Sequence, residues 1–173
     1  MTAASAYQRP LCREGESISP RSTTSPSEQK PSKTLNLSID SKFSDVALVG
    51  HAVRGVCACS PLAAEAHGEM EVCVVEAVTN AIAHAYRREV GFRVEAAITL
   101  HQDRIAFEVS DFGMAIKEFA PRTLEFDPEE IGSLPESGMG LFIIETIMDE
   151  VSYRSENGRN TLSFCRYFWQ PQA

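Results

Sequence analysis

Between Val72 and Tyr86 the chain carries a single charged side chain, Glu76, in a stretch whose apolar residues recur at helical spacing. No other feature narrows the possible folds as much. Glu76, Asn80 and His84 stand four residues apart, so on a helix each lies about 6 Å further along the axis and about 40° round from the last. They form one polar stripe. Val74, Val78, Ala81, Ile82 and Ala85 centre on the far side and supply a core face. Val72, Cys73 and Ala83 flank the stripe with small or apolar groups, where a solvent face would carry Lys, Glu and Arg. A lone carboxylate in that company is costly unless it is paired or used. One reading is a helix buried on both sides with a few satisfied polar groups. Three polar residues in register favour a working site. A carboxylate can accept a proton, and an Asn oxygen suits Mg²⁺, which takes octahedral oxygen ligands and keeps waters and phosphate oxygens. His84 reads two ways, as a phosphate contact or as support for the helix.

The segments around this helix set the fold class. Leu35, Leu37 and Ile39 alternate with Asn36, Ser38 and Asp40, the period of a half-buried strand. Ser44 with Asp45 offers an N-cap to a helix whose face is Val46, Leu48, Val49, Val53 and Val56, running to Pro61. The second helix is predicted over Glu69–Arg88, ended by Gly91. Phe92–Leu100 and Arg104–Ser110 read as antiparallel strands joined at His101-Gln102-Asp103. From Asp111 to Gly138 the pattern dissolves into Gly, Pro and acidic residues, long for a connection and suggestive of a functional lid. Met139–Met148 is helical by pattern, and Val151–Arg154 with Thr161–Phe168 form a closing hairpin around Glu156-Asn157-Gly158-Arg159. This order predicts an α+β, two-layer sandwich with helices on one face of a mostly antiparallel sheet.

Composition sets the limits. At 173 residues and 43% hydrophobic, the chain fits one domain with a core of ordinary size. Residues 1–33 are rich in Ser, Pro and Thr with few aliphatic side chains, and read as a disordered tail before a domain at 34–170. Neither a signal peptide nor a run of about 20 apolar residues is apparent, so a cytoplasmic protein without a membrane span is expected. A net charge of −8 argues against a direct grip on nucleic acid, which needs clustered Lys and Arg. Glu118, Glu125, Asp127, Glu129, Glu130 and Glu136 concentrate that acidity in the lid and read as a solvated loop. Five cysteines in no spaced framework read as buried free thiols, and Cys57-Ala-Cys59 lacks a second ligand pair for zinc.

Two glycine segments complete the pattern. Ser110-Asp111-Phe112-Gly113 ends a strand with a carboxylate and a flexible residue, a place where an acceptor can meet a base edge while the backbone approaches closely. An ordinary turn has the same residues. Ser137-Gly138-Met139-Gly140-Leu141 puts two glycines at a helix start, whose exposed N–H groups can seat a phosphate or serve as a plain cap.

Taken in order, a Glu-x-x-x-Asn helix, a strand ending in Asp-x-Gly, an acidic lid and Gly-x-Gly opening a helix resemble a known family. The chain is similar, over about Leu35–Phe168, to the RsbW and SpoIIAB group of anti-sigma factor serine kinases in the GHKL ATPase superfamily. The stretches that carry the likeness are Glu76-Ala-Val-Thr-Asn80-Ala-Ile-Ala-His84-Ala-Tyr86 and Glu136-Ser-Gly-Met-Gly-Leu141, followed by Met148-Asp149-Glu150-Val151. The resemblance implies the GHKL (Bergerat) fold with an ATP lid, and ATP with Mg²⁺ as cofactors. It makes Glu76 the general base and Asn80 the Mg²⁺ ligand. Asp111 would accept the adenine amino group, with Gly113 and Ile116 shaping the base pocket. Gly138, Met139, Gly140 and Leu141 would wrap the phosphates, with His84 near them, and Thr161 would match a late Thr near adenine. Ala115 departs from the pattern, since the first glycine box usually has Gly or Pro there.

The same likeness implies a serine of a STAS-domain anti-anti-sigma factor as substrate, a sigma factor as the sequestered partner, and a homodimer. Two rival readings remain. A binding-only anti-sigma module would keep the fold without transfer. A histidine-kinase ATP-binding domain would need a helical hairpin before the first strand, for which that region is too short and too polar.

Overall fold

Strand β1 (Lys33–Asp40) opens the computed structural model, which describes residues 32–116 and 139–169. Lys33, assigned to the tail by composition, is already in the strand. Residues 1–31 of the tail, the acidic stretch from Lys117 and Gly138 lie outside the described residues. A single 3-10 turn (Phe43–Asp45) leads into α1 (Val46–Cys57), followed by α2 (Ala64–Asn80), which runs into a π turn at Ala81–Ala85. Then come β2 (Arg93–Leu100), β3 (Arg104–Asp111), α3 (Met139–Ile147), β4 (Glu150–Glu156) and β5 (Arg159–Tyr167).

The strands form one sheet in the order β1-β2-β3-β5-β4, with every pairing antiparallel. The expected α+β sandwich is thereby realised. Asn157 and Gly158 both have positive φ, 53° and 76°, the backbone sense that matches strand twist in a two-residue hairpin. Strand alternation sends Val94, Ala96, Ile98, Ile105, Phe107, Val109, Leu162 and Phe164 to one face, and all are buried. They meet Val49, Val53, Met70, Val74, Val78, Ile82 and Ile144 from the helices in one core. Each fully buried aliphatic or aromatic side chain there contributes about 1.5–3 kcal/mol. Phe107 and Phe164, paired across β3 and β5, stack with centroids 5.5 Å apart.

Four local expectations are corrected. Neither Ser44 nor Asp45 caps α1 with its side chain; the Ser44 hydroxyl donates to the Asp45 carboxylate instead. Leu48 is 64% exposed, because Val46, Val49, Gly50, Val53 and Cys57 define the buried side and Leu48 lies about half a turn from them. Helix α2 begins at Ala64, five residues before Glu69, with Gly68 inside it. It ends before Gly91 at the π turn, after which Arg87 and Arg88 adopt positive φ. Of the thiols, Cys57, Cys73 and Cys165 are buried but Cys59 is exposed. Burial pushes the Cys57 thiol up to about 11 and is the main cause that takes Cys73 and Cys165 to about 12.

Candidate functional site

The π turn shapes one wall of the site. Tyr86 N–H reaches back to the Ala81 carbonyl at 3.1 Å, the i→i+5 pattern of a π turn. The Ala85 carbonyl points out of the helix and accepts from Met114 N–H at 3.0 Å, which ties the segment after β3 to the end of the helix. Gly113 sits so close to this junction that a Cβ would overlap the Ala85 carbonyl. The Tyr86 hydroxyl accepts from Phe112 N–H at 2.8 Å and donates to the Arg93 carbonyl at 2.5 Å. Its ring stacks on Phe92 with centroids 4.8 Å apart. Backbone and side chain together therefore hold the Asp111-Phe112-Gly113 turn against the helix.

Asp111 lines a cavity of about 440 Å³, within the range of small-molecule sites. Its Oδ1 accepts from Gly113 N–H at 3.0 Å and from Asn160 Nδ2 at 2.7 Å. Burial lifts its carboxyl above the ordinary carboxylate range, and those two donors oppose the shift. Asn80, His84, Ile116 and Leu141, all expected at the site, line the same cavity, as does Ala115. Ile116 N–H donates to the Tyr153 hydroxyl at 2.9 Å, which brings β4 into the wall.

The start of α3 meets α2 at Gly140. A Cβ on Gly140 would lie 2.5 Å from Glu76 Oε2 and 3.0 Å from Asn80 Nδ2. Gly140 and the Glu-x-x-x-Asn helix are thus in contact, and any side chain at Gly140 would have to displace Glu76. Met139 is 37% exposed at the helix end. Gly138 lies outside the described residues. Among the described residues, no group of three or more His, Cys, Asp or Glu is arranged to hold a metal. An ion that takes one protein oxygen and completes its shell from phosphate and water needs no such group.

Thr161 is not in the cavity. On β3 and β5 the pairs are Ser110 with Thr161 and Asp111 with Asn160, and successive residues of a strand face opposite sides. The Thr161 hydroxyl therefore meets Ser110 Oγ at 2.9 Å on the outer face, and Asn160 takes the place beside Asp111. Sequence reading also missed Ala77, Val109, Tyr153 and Leu162 in the lining, and counted Ala81 and Ala85 as core only. Ala77, Ala81 and Ala85 recur every four residues next to Asn80 and His84. Small side chains at that spacing make room for a ligand along the helix.

Comparison with known proteins shows the family. The histidine kinase-like ATPase domain family matches residues 39–166. The serine-protein kinase RsbW of Bacillus mycoides (strain KBAB4) is 29% identical over 132 residues, 74% of this chain and 81% of that protein. RsbW of Listeria monocytogenes serotype 4a (strain HCC23) is 29% identical over 128 residues, 72% of this chain and 81% of that one. Among solved structures, a Mycobacterium tuberculosis chain holding RsbU and RsbW domains aligns with a TM-score of 0.56 at 17% identity. It matches 78% of this chain, which spans 32% of that longer chain. At that identity the likeness is one of fold.

Proposed function

Because the chain belongs to the histidine kinase-like ATPase domain family, we propose that it is an anti-sigma factor serine kinase that uses ATP and Mg²⁺ and acts on a STAS-domain anti-anti-sigma factor. The observation that carries the proposal is the packing of Gly140 against Glu76 and Asn80, with Asn80 lining the same cavity as Asp111. A nucleotide laid along that cavity would offer its base to Asp111 and its phosphates to the start of α3, where helix N–H groups favour anions. The relatives named serine-protein kinase support the same reading. The kinase domain is taken as 34–170, with the lid between β3 and α3.

Asn80 supplies the one protein oxygen a Mg²⁺ would need, and that ion would offset charge on the triphosphate. Glu76 takes the proton from the substrate serine as its Oγ bonds to the γ-phosphorus. The β–γ bridging bond breaks at the same centre and ADP departs. Holding these groups in line does most of the catalysis. His84, exposed at the cavity rim, would lie near the phosphates. The dephosphorylated STAS protein would compete with a sigma factor for the kinase, and phosphorylation would return the kinase to the sigma factor. Family resemblance points to a homodimer. Among the described residues no helix is long and apolar enough to cross a membrane.

The test is transfer of label from ATP to a STAS protein encoded beside this chain, with Glu76→Ala as the control. The expected outcome is phosphoserine on the partner and a loss of about 10²- to 10⁴-fold in rate for the variant, with nucleotide affinity retained. Transfer at the parent rate would remove Glu76 from the role. Tight nucleotide binding without transfer by the parent would favour the binding-only module.

A further inference from the structure

Asn160 carries no motif, yet its amide is fully committed. The residue is 2% exposed. Its Nδ2 donates to Asp111 Oδ1 at 2.7 Å and to the Gly113 carbonyl at 3.1 Å, and its Oδ1 accepts from the Ser155 hydroxyl at 2.7 Å. The network fixes which way the amide faces: the Gly113 carbonyl and the Asp111 carboxylate on the β3 side only accept and so require the nitrogen, which leaves the oxygen to the Ser155 hydroxyl on the β4 side. Gly113 N–H donates to the same Asp111 oxygen at 3.0 Å. Two donors on one oxygen favour the ionised carboxylate, and an ionised carboxylate only accepts hydrogen bonds.

An acceptor held in place discriminates between purines by what they carry at C6. An amino group donates to it. An oxo group presents a second acceptor, and a buried acceptor facing an acceptor leaves both unpaired, the situation sites use for strong rejection. A carboxyl group that was protonated or free to turn would lose that selectivity, because it could donate to the oxo group.

We propose that Asn160 is a specificity-determining positioning residue: its amide, braced by Ser155, holds Asp111 as an acceptor and thereby sets a preference for 6-aminopurine over 6-oxopurine nucleotides. The inference rests on the nucleotide-binding reading above. It concerns the second residue of a pair, one that touches Asp111 and the backbone of Gly113 rather than the reacting atoms.

Asn160→Asp is nearly isosteric and puts a second carboxylate within hydrogen-bond distance of the first. Two carboxylates that close share a proton, which creates a donor where there was none. The experiment compares binding of ATP and inosine triphosphate, each with Mg²⁺, to the full chain and to Asn160→Asp and Ser155→Ala. The two nucleotides differ at the purine C6 position and its neighbouring nitrogen. The parent is expected to favour ATP by about 10²-fold. Asn160→Asp is expected to cut that ratio by about 10-fold or more, with ATP affinity falling and inosine triphosphate affinity holding or rising. Ser155→Ala, at a more accessible residue, is expected to cut the ratio by about 2- to 3-fold and still reports if the first variant fails to fold.

Parallel loss of both nucleotides, with the ratio unchanged, would reduce Asn160 to a structural residue and overturn the inference. A parent that binds ATP and inosine triphosphate equally overturns it too, while leaving nucleotide binding intact. A parent that binds neither overturns the functional proposal itself, and this inference with it.

Discussion

The pair of strands β3 and β5 carries two polar clusters, one on each face, offset by a single residue. On the helix face, Asp111 lines the cavity with Asn160 bonded behind it, and burial raises the Asp111 carboxyl. On the outer face, Ser110 bonds Thr161 at 2.9 Å and receives Arg159 Nη2 at 3.1 Å. Arg159 also pairs with Glu95 at 3.1 Å, Arg93 pairs with Glu95 at 3.0 Å, and both guanidinium groups lie over the Phe112 ring at 5.5 and 5.6 Å. The outer cluster contains more charge, but its members answer one another. The inner one has a desolvated acceptor facing an open volume. Polarity alone does not make a site; a concave wall and an acceptor kept in place beside it do.

The largest effect that would sharpen this contrast is expected from Gly140→Ala, on the helix face. The new Cβ must displace Glu76 Oε2, 2.5 Å away, and crowd Asn80 at 3.0 Å. Both are ends of flexible side chains, so the fold is expected to survive while the geometry of Glu76 does not. A misplacement near 1 Å costs about 10²-fold in rate, to be read as single-turnover transfer at saturating ATP. An unchanged rate would mean that contact with Gly140 does not position Glu76, and the helix face would lose its link between the two motifs.

Next in size is Asp111→Asn. A hydrogen bond to a charged group is worth about 1.5–3 kcal/mol, so ATP affinity should fall by about 10- to 100-fold, measured by calorimetry. Stability should move the other way. A carboxyl whose folded pKa is raised stabilises the fold while protonated, below the ordinary carboxylate value, and that contribution is lost as pH rises through the raised value. At neutral pH the ionised group is therefore a burden on the fold. The carbonyl of the substituted amide can still accept from Asn160 and Gly113, so the variant should melt above the parent at pH 7, with the gap closing as pH falls from the raised value to the ordinary carboxylate value. A lower melting temperature at pH 7 would mean that the charge is better satisfied than its burial implies.

Much of the helix face was legible because its signals are local. Glu76, Asn80 and His84 show their shared face by spacing alone, and Gly138-Met139-Gly140 marks a helix start. What escaped depends on partners far along the chain. Whether Asn160 or Thr161 stands beside Asp111 is a matter of parity, set by pairing with Ser110 and Asp111 some fifty positions earlier. The Asn157-Gly158 turn was readable, but a turn does not say which face its strand presents to the helices. The π turn has no signature of its own, since it is held by Met114 on Ala85 and Phe112 on Tyr86. Leu48 was misplaced for a simpler reason: apolar character marks a residue that can be buried, and the helix has too little core-facing surface for all of them.

The smallest expected effect, Thr161→Val, tests the comparison from the outer side. Valine keeps the branched shape that suits a strand and removes only the hydroxyl. Ser110 Oγ keeps the Arg159 donor at 3.1 Å, so its oxygen stays paired after the change. The cost should be the net value of one ordinary hydrogen bond, about 0.5–1.5 kcal/mol by urea unfolding. ATP affinity should stay within about twofold, because independent sites combine additively and the hydroxyl lies across the sheet from the cavity. A loss of affinity as large as that of Asp111→Asn would show that the two faces are not independent. The route would then run through Ser110, whose neighbour in the chain is Asp111, and the outer cluster would have to be counted as part of the site.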